Sequence, residues 1–383
     1  MIKSFAKSLT VAVYAVGLTL VSCSKPNDVV PVNETPVATK PSQSTPGVTP
    51  DNSGKDNDTT TTTNPVTPTV PPVTTTPITT SPTTLSLGVN GHPFGDAPYL
   101  ETPATRQVDM INQMGMNWYR INVLTQSDGT ISGNRPGLFE ALRDAAKSGS
   151  VNLLPMLYLR TFKSADSPET AYEKGRTLGA NFAAKYGEYF EYYDLGNDLE
   201  LDLLLPNTDG RDIADYNPTK SKAIAYYLKG MDEGIKANDP GAKTMIDAGW
   251  LHWGFLTICS NYGVQFDAIG YHWYSDMEGA AKKSYKIDDI TTKITGLFPT
   301  KELWFTEFGY RYNSSSNVNE DKQSEFINSF VAKCRNNTKV KAAIAYELLD
   351  EPYKSYQESN YGLYKWLTRY TSSAKKPVVS IFR

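Results

Sequence analysis

Cysteine and histidine are both scarce, with three of each in 383 residues. Three thiols, one of them far upstream at Cys23, do not make a disulfide framework, and Cys259 and Cys334 are expected to be buried and free. Strong charge of one sign is also missing. The formal net charge is −3 and no basic patch stands out, which argues against nucleic acid as a partner. From residue 24 to about 83 there is no Phe, Tyr, Trp or Leu. A stretch such as "DNDTTTTTNPVTPTVPPVTTTPITTSPTT" cannot bury enough apolar surface to offset its ordering entropy. Its proline density favours extended, polyproline-like chain. Residues 23–83 therefore read as a disordered Thr/Pro-rich linker, a stalk whose composition suits O-glycosylation. A dinucleotide fingerprint is lacking as well, because "GVNGHPFGDAP" does not open a helix after the first apolar run.

Ahead of the stalk, Lys3 and Lys7 precede "LTVAVYAVGLTLV", an apolar run too short to span a bilayer securely. Small residues follow, and the run ends in Leu20-Val21-Ser22-Cys23, so residues 1–22 read as a secretory signal. A Cys directly after such a core resembles the lipobox of bacterial lipoproteins, in which the Cys is diacylated and becomes the new N-terminus. That resemblance implies lipidation at Cys23 and attachment to a membrane of the bacterial cell envelope. Ser24 points by analogy to the outer membrane. Cleavage would remove Lys3 and Lys7 and take the side-chain charge from −3 to −5.

From residue 84 the composition changes. Aromatics become dense, and short apolar runs alternate with helix-like stretches. The runs are "LSLGVN" (85–90), "NWYRINV" (117–123), "VNLLPMLYL" (151–159), "YFEYYDLG" (189–196), "KTMIDAG" (243–249), "FDAIGYHW" (266–273), "ELWFTEFG" (302–309) and "AAIAYELL" (342–349). Between them lie helix signatures. "ATRQVDMINQMG" places Val108, Ile111 and Met114 at helical spacing, and "PGLFEALRDAAKSG" opens on Pro and closes on Gly. "SPETAYEKGRTLGANFAAKYG", "PTKSKAIAYYLKGMDEGIKAN" and "EDKQSEFINSFVAKCR" continue the series. Strand and helix alternating over about 300 residues predict a (β/α)8 TIM barrel across 84–383, in preference to an open doubly wound sheet.

In such a barrel chemistry sits at the C-terminal ends of the strands. Those ends carry Asn90 and His92, Arg120 and Asn122, Asn197 and Asp198, Trp250, His252 and Trp253, His272, Trp273 and Tyr274, Glu307 and Tyr310, and Tyr346, Glu347 and Asp350. Arg120 and Glu307 lie inside apolar runs, where a charge is costly unless paired. They are expected to pair or to reach the open mouth together. Trp118 and Trp304, at mid-strand, read as packing residues.

Taken in order, these pieces resemble clan GH-A, the retaining glycoside hydrolases that carry acid/base and nucleophile on strands four and seven. "ELWFTEFGY" resembles the nucleophile strand and implies Glu307 as nucleophile. "YYDLGND" resembles the strand-four pattern and implies Asp198 as acid/base with Asn197 beside it. "AIGYHWYS" resembles a strand-six His-x-Tyr, implying His272 and Tyr274 as supporting groups, with Tyr274 contacting the nucleophile. "WYRIN" implies Arg120 as the residue that steadies it. "AYELLDE" and "YGLYKW…KKP" resemble the last strand and closing helix of the β-xylosidase-like and endoglycanase-like members. The resemblance implies retaining cleavage of O-glycosidic bonds in a poly- or oligosaccharide, without cofactor or metal, by a monomer. Asn197 is suited to the sugar 2-hydroxyl. Trp250, Trp253 and Trp273 offer faces to sugar rings, and Asn90, His92, His252, Tyr310, Tyr346 and Glu347 complete the expected substrate-binding rim.

One departure matters. Where the pattern has Glu on strand four, this chain has Asp194 and Asp198, and a misplacement of about 1 Å can cost on the order of 10²-fold in rate. Three outcomes are open: Asp198 works after a backbone adjustment, Glu200 replaces it from the same face of an extended chain, or acid catalysis is lost and the barrel serves as a cell-surface glycan-binding protein. A different chemistry, metal-dependent amide hydrolysis on His92, His252, His272 and Asp350, lacks the His-x-His that such sites place on strand one.

Overall fold

The computed structural model describes residues 85–382 apart from 96, 133–134, 159–161, 164, 313–318, 355–357 and 369–371. The expected signal, lipidation at Cys23 and stalk lie outside the described residues. Strands β1 (Ser86–Gly91), β2 (Trp118–Val123), β3 (Asn152–Leu157), β4 (Tyr192–Asp194), β5 (Lys243–Gly249), β6 (Ala268–Tyr274), β7 (Glu302–Gly309) and β8 (Val340–Ala345) pair in sequence order, parallel, and β8 returns to β1. This is the closed barrel that the alternation predicts. Its strands are buried almost end to end because helices cover the outside and side chains fill the inside.

The helices begin where the sequence supplies caps. Ser167 precedes Pro168–Tyr186 and accepts from the Thr170 N–H; Asn217 precedes Pro218–Asn238 and accepts from the Lys220 N–H. In chain order the helices are α1 (Ala97–Glu101), α2 (Ala104–Gln113), α3 (Arg135–Ser148), α4 (Pro168–Tyr186), α5 (Pro218–Asn238), α6 (Trp253–Asn261), α7 (Ser275–Tyr285), α8 (Ile290–Leu297) and α9 (Glu320–Asn336). Four glycines bring α4 and α5 together. A Cβ on Gly175 or Gly179 would stand 2.0 or 2.3 Å from a carbonyl oxygen of α5, and one on Gly230 or Gly234 would stand 2.1 or 2.3 Å from one of α4. Only hydrogen at these four positions permits the backbones to touch.

The end of the chain differs from the closing helix that the resemblance implies. Tyr364–Thr368 and Ser372–Lys375 form an antiparallel two-stranded ribbon, and Pro377–Phe382 is a 3-10 segment. Helices α1, α6, α7 and α8 carry no signature that the sequence analysis singles out.

Inside the barrel, Trp118, Leu154, Tyr192, Met245, Ala268, Trp304, Ala342 and Ile344 form a cluster distinct from the outer core. Trp118 and Trp304 meet edge to face at 4.9 Å, so both are packing residues, as their position implies. Side chains on a strand alternate. Above this floor, two residues on, come Arg120, Asp194 and Asp247, and above Ala268 come Gly270 and then His272.

Glu307 breaks the alternation. It stands three residues beyond Trp304, not two. On β6 two steps, Gly270 to His272, oppose three on β7, Trp304 to Glu307. The same extra residue appears against β8 between Phe305 and Phe308. Phe305 and Phe308 both pack on Phe330 of α9. The bulge turns Glu307 to the lumen while keeping both phenylalanines outside.

Candidate active site

Arg120 is the hub. Its Nε donates to Asp194 Oδ2 at 2.7 Å. Its Nη1 donates to Glu307 Oε1 and Asn90 Oδ1, both at 3.0 Å, and Nη2 donates to Asn197 Oδ1 at 2.9 Å and reaches Asp247 Oδ2 at 3.4 Å. Burial alone would lower the guanidinium pKa, but Asp194, Glu307 and Asp247 raise it on balance, so the charge is permanent. The Arg120–Glu307 pairing expected from the sequence is present and is one arm of a network that joins β1, β2, β4, β5 and β7.

Tyr274 donates its hydroxyl to Glu307 Oε2 at 2.7 Å. The Arg311 guanidinium lies over the Tyr274 ring at 4.6 Å and donates to Asp276. Glu307 therefore receives donors on both oxygens, one from Arg120 and one from a buried phenol.

Asp198 sits in the loop after β4 with φ 48° and ψ 35°, the left-handed region that Asp tolerates better than most residues. This turn aims its N–H at Asp247 Oδ1, 3.0 Å away. Asp198 Oδ1 contacts His272 Nδ1 at 2.8 Å, and Oδ2 accepts from Asn197 Nδ2 at 3.0 Å. The other ring nitrogen, His272 Nε2, stands 3.6 Å from Asp247 Oδ2 and 3.8 Å from Glu307 Oε1. Asp198 and Glu307 thus face each other across one imidazole.

Asp247 was missed by the sequence reading. The available signal was an acid in the middle of the apolar run "KTMIDAG", the same signal that singled out Arg120 and Glu307. Burial, then the charges of Asp194 and Asp198, push the Asp247 carboxyl well above the ordinary range against the pull of Arg120. Burial likewise raises Asp194, with Arg120 opposing.

Several rim residues are placed otherwise than expected. Glu200 does not share a face with Asp198, because the chain turns into the 3-10 segment Leu199–Asp202. Its carboxylate is fully buried and accepts from the Gly249 N–H at 2.9 Å and faces His252 Nδ1 at 3.2 Å. It holds the loop after β5 and is no reserve acid. Trp253 opens α6 and is buried, with Lys293 over its ring. Trp273 is 1% exposed and donates to Glu278. Neither presents a face to a sugar. Trp250, at φ 47°, is half-buried and stacks on Trp273 with ring centroids 6.1 Å apart. Tyr310 remains half-buried at the rim, in edge contact with Tyr312.

A second polar cluster occupies the β1–β8 side. His92 Nδ1 lies 2.8 Å from Glu351 Oε1 and 3.1 Å from Glu347 Oε2, and Tyr99 donates to Glu347. Tyr346 packs edge-on against His92 and Tyr274. Burial and the Glu351 charge push Glu347 up to about 8, whereas His92 and Lys354 overcome burial to hold Glu351 at about 2. His92, Glu347 and Glu351 each bring a ligand atom within 4.8 Å of the others, but the Lys354 ammonium already contacts Glu351 and approaches His92. The donor set is filled by its own lysine. The three histidines face separate carboxylates, His92 those of Glu351 and Glu347, His252 that of Glu200 and His272 that of Asp198, and Asp350 pairs with Lys376 at 2.7 Å. The metal-hydrolase arrangement of His92, His252, His272 and Asp350 is not assembled. A hollow of about 540 Å³ lined by Arg143, Lys147, Asn152 and Glu188 lies at the opposite end of β3 and β4 and takes no part in this chemistry.

Fold and geometry together define a (β/α)8 barrel with carboxylates from strands four, five and seven gathered on an arginine from strand two at the C-terminal mouth. Residues 213–375 match the family model described as glycosyl hydrolase catalytic core. This part of the chain is therefore similar to a glycosyl hydrolase catalytic core, in line with the sequence resemblance. The match includes Asp247, His272, Tyr274 and Glu307, and begins after Asp198. No curated protein matches. Among solved structures, family 1 β-glucosidase from Thermotoga maritima is similar with a TM-score of 0.54 at 12% identity, over 78% of this chain and 96% of that one. A hyperthermophilic β-glucosidase mutant that forms a dodecamer in the crystal is similar with a TM-score of 0.58 at 11% identity, over 78% and 98%. At such identities the likeness is one of fold.

Proposed function

We propose that this protein is a retaining glycoside hydrolase acting on O-glycosidic bonds of a poly- or oligosaccharide, with Glu307 as nucleophile and Asp198 as the acid/base. The observation that carries this reading is Glu307 itself. A strand bulge turns it into the lumen, Arg120 and Tyr274 each hold one oxygen, and Asp198 stands opposite across His272. Glu307 attacks the anomeric carbon, Asp198 protonates the leaving oxygen, and the glycosyl-enzyme is then hydrolysed by water that Asp198 deprotonates. Arg120 keeps the nucleophile ionised. Asn197 bridges Arg120 to Asp198 and retains a second amide hydrogen for a sugar hydroxyl. The β-glucosidases among the structural neighbours support a β-glucoside as the first substrate to try.

The test is a glycan panel scored for new reducing ends, with the anomeric form of the first product read by NMR. Retention in the wild type and loss in Glu307→Ala are expected. Cleavage that survives Glu307→Ala would remove Glu307 as nucleophile.

The second reading, a surface glycan binder, is favoured by one observation: both oxygens of Asp198 are engaged by His272 and Asn197. Binding to a glycan that the wild type does not cleave, together with cleavage gained in Asp198→Glu, would decide for it. In either case the N-terminal pattern supports export and lipid anchoring through Cys23. Loss of membrane association in Cys23→Ser is the outcome expected.

A further inference from the structure

We propose that the acid/base of this barrel is a three-residue relay, Asp247–His272–Asp198, in which Asp198 meets the substrate and Asp247 stores the proton behind it. This rests on the hydrolase reading above and assigns the source of the catalytic proton.

The geometry sets a problem for Asp198 acting alone. Its two oxygens face His272 Nδ1 and the Asn197 amide, and N–H donors on both sides favour the carboxylate over the acid. The proton for the leaving oxygen must then come from elsewhere. The imidazole donating from Nδ1 leaves Nε2 as an acceptor. Nε2 is buried and makes no hydrogen bond, and its near neighbours are carboxylates: Asp247 Oδ2 at 3.6 Å and Glu307 Oε1 at 3.8 Å. With the ring neutral and Nδ1 as its donor, an acceptor at Nε2 facing two carboxylates is best matched when one of them carries a proton. Glu307 must be ionised to attack, which leaves Asp247.

The surrounding charges agree. Asp194 on β4, Asp198 after it, Asp247 on β5 and Glu307 on β7 gather around Arg120 on β2 and His272 on β6, with Glu200 buried near the end of β5 and Tyr274 already donating to Glu307. Arg120 sits closer to Asp194 (2.7 Å) and Glu307 (3.0 Å) than to Asp247 (3.4 Å), so Asp247 is the least compensated of its three carboxylates. Burial and its acidic neighbours favour the protonated form. Asp247 also accepts the Asp198 N–H, so the residue that stores the proton fixes the turn that spends it.

The proton balance closes. As the glycosidic C–O bond breaks and Glu307 forms its bond to the anomeric carbon, Asp198 gives a proton to the leaving oxygen. Asp198 takes that proton from His272 Nδ1, and Nε2 takes one from Asp247. In the second half-reaction water loses a proton to Asp198, Nδ1 receives it, and Nε2 returns one to Asp247. Asp247 and His272 act through Asp198 and touch no substrate.

The experiment uses the purified full-length protein, a series of aryl glycosides of rising leaving-group pKa, and Asp247→Asn. The amide keeps an acceptor for the Asp198 N–H. The relay predicts that Asp247→Asn loses about 10²-fold in kcat/KM on poor leaving groups and little on dinitrophenyl glycosides. Asp198→Asn with Asp247→Asn should be no slower than Asp198→Asn alone. The protonated-carboxyl infrared band at neutral pH, to which Glu347 also contributes, should lose the intensity of one carboxyl in Asp247→Asn. An equal loss on every leaving group, additive losses, or an unchanged infrared spectrum would each overturn the relay while leaving the hydrolase reading intact. A wild type that cleaves no glycoside overturns both. Should Asp247→Asn fail to fold, a proton inventory on the wild type decides: more than one proton in flight with a poor leaving group is expected, and a linear inventory refutes the relay.

Discussion

Arg120→Met is predicted to be the most damaging single substitution at the site, and its cost is predicted to rise with pH. The guanidinium contacts three buried acids, Asp194, Glu307 and Asp247, at 2.7, 3.0 and 3.4 Å. Removing one partner of an ordinary buried ion pair costs about 3–5 kcal/mol. With two charged acids, Asp194 and Glu307, left without their counter-ion, the top of that range, about 5 kcal/mol, is expected at pH 8. Glu307→Gln is the contrast. Arg120 keeps Asp194 and Asp247, and the new amide oxygen can still accept from it. The loss is then below that of one charge-assisted hydrogen bond, about 1 kcal/mol. Burial raises the pKa of both Asp194 and Asp247, so the folded state binds protons that the unfolded chain releases. For groups with a raised carboxyl pKa, stability is highest at low pH and falls as pH rises through the folded value. Without Arg120 that dependence steepens, and the cost at pH 5 should be smaller than at pH 8 by on the order of 2 kcal/mol. Urea denaturation of the wild type and both variants at the two pH values measures this. A cost independent of pH, or one no larger than that of Glu307→Gln, would refute the account of Arg120 as the shared counter-ion.

Other outcomes follow from the same geometry. Glu307→Ala should lose roughly 10⁶-fold in kcat, as removal of a covalent nucleophile does elsewhere; azide should restore turnover with an inverted glycosyl azide as product, and a retained product would contradict the assignment. Glu347 is held at about 8 by burial and by Glu351, so it lowers stability as pH rises from its unfolded value through that point. Glu347→Gln should therefore flatten the melting temperature between pH 5 and pH 9. Gly175→Ala places a Cβ 2.0 Å from the Tyr227 carbonyl and should cost about 1–3 kcal/mol by forcing α4 from α5. Gly137→Ala, with nothing within 4 Å on helix α3, should instead gain about 0.5–1 kcal/mol. Equal melting temperatures for those two variants would dismiss the close-packing argument.

The barrel was legible because strands buried on both faces read as apolar runs, and each of the eight runs contains or overlaps a strand. The carboxyl-terminal ends of those runs likewise marked Arg120, Asp198, His272, Tyr274 and Glu307, which the fold does bring together. Trp253 and Trp273 were misplaced for a plain reason: an aromatic at a strand end can turn to the mouth or into the helix layer, and no local pattern says which. Glu200 was misjudged because the left-handed turn at Asp198 ends the extended chain that the shared-face argument needs. Asp247 carried its own signal and was passed over.

The sequence by itself determined the order of the elements, the apolar strands, the helix caps and the inventory of acids and bases at the strand ends, since these depend on local pattern and residue chemistry. Only the tertiary structure decided what the acids do. The bulge that turns Glu307 inward is a mismatch in count between β7 and its two neighbours. The arginine shared by three carboxylates and the imidazole between Asp198 and Asp247 join residues up to 187 positions apart in the chain. Register and cross-barrel distance belong to the closed sheet, and no window along the chain contains them.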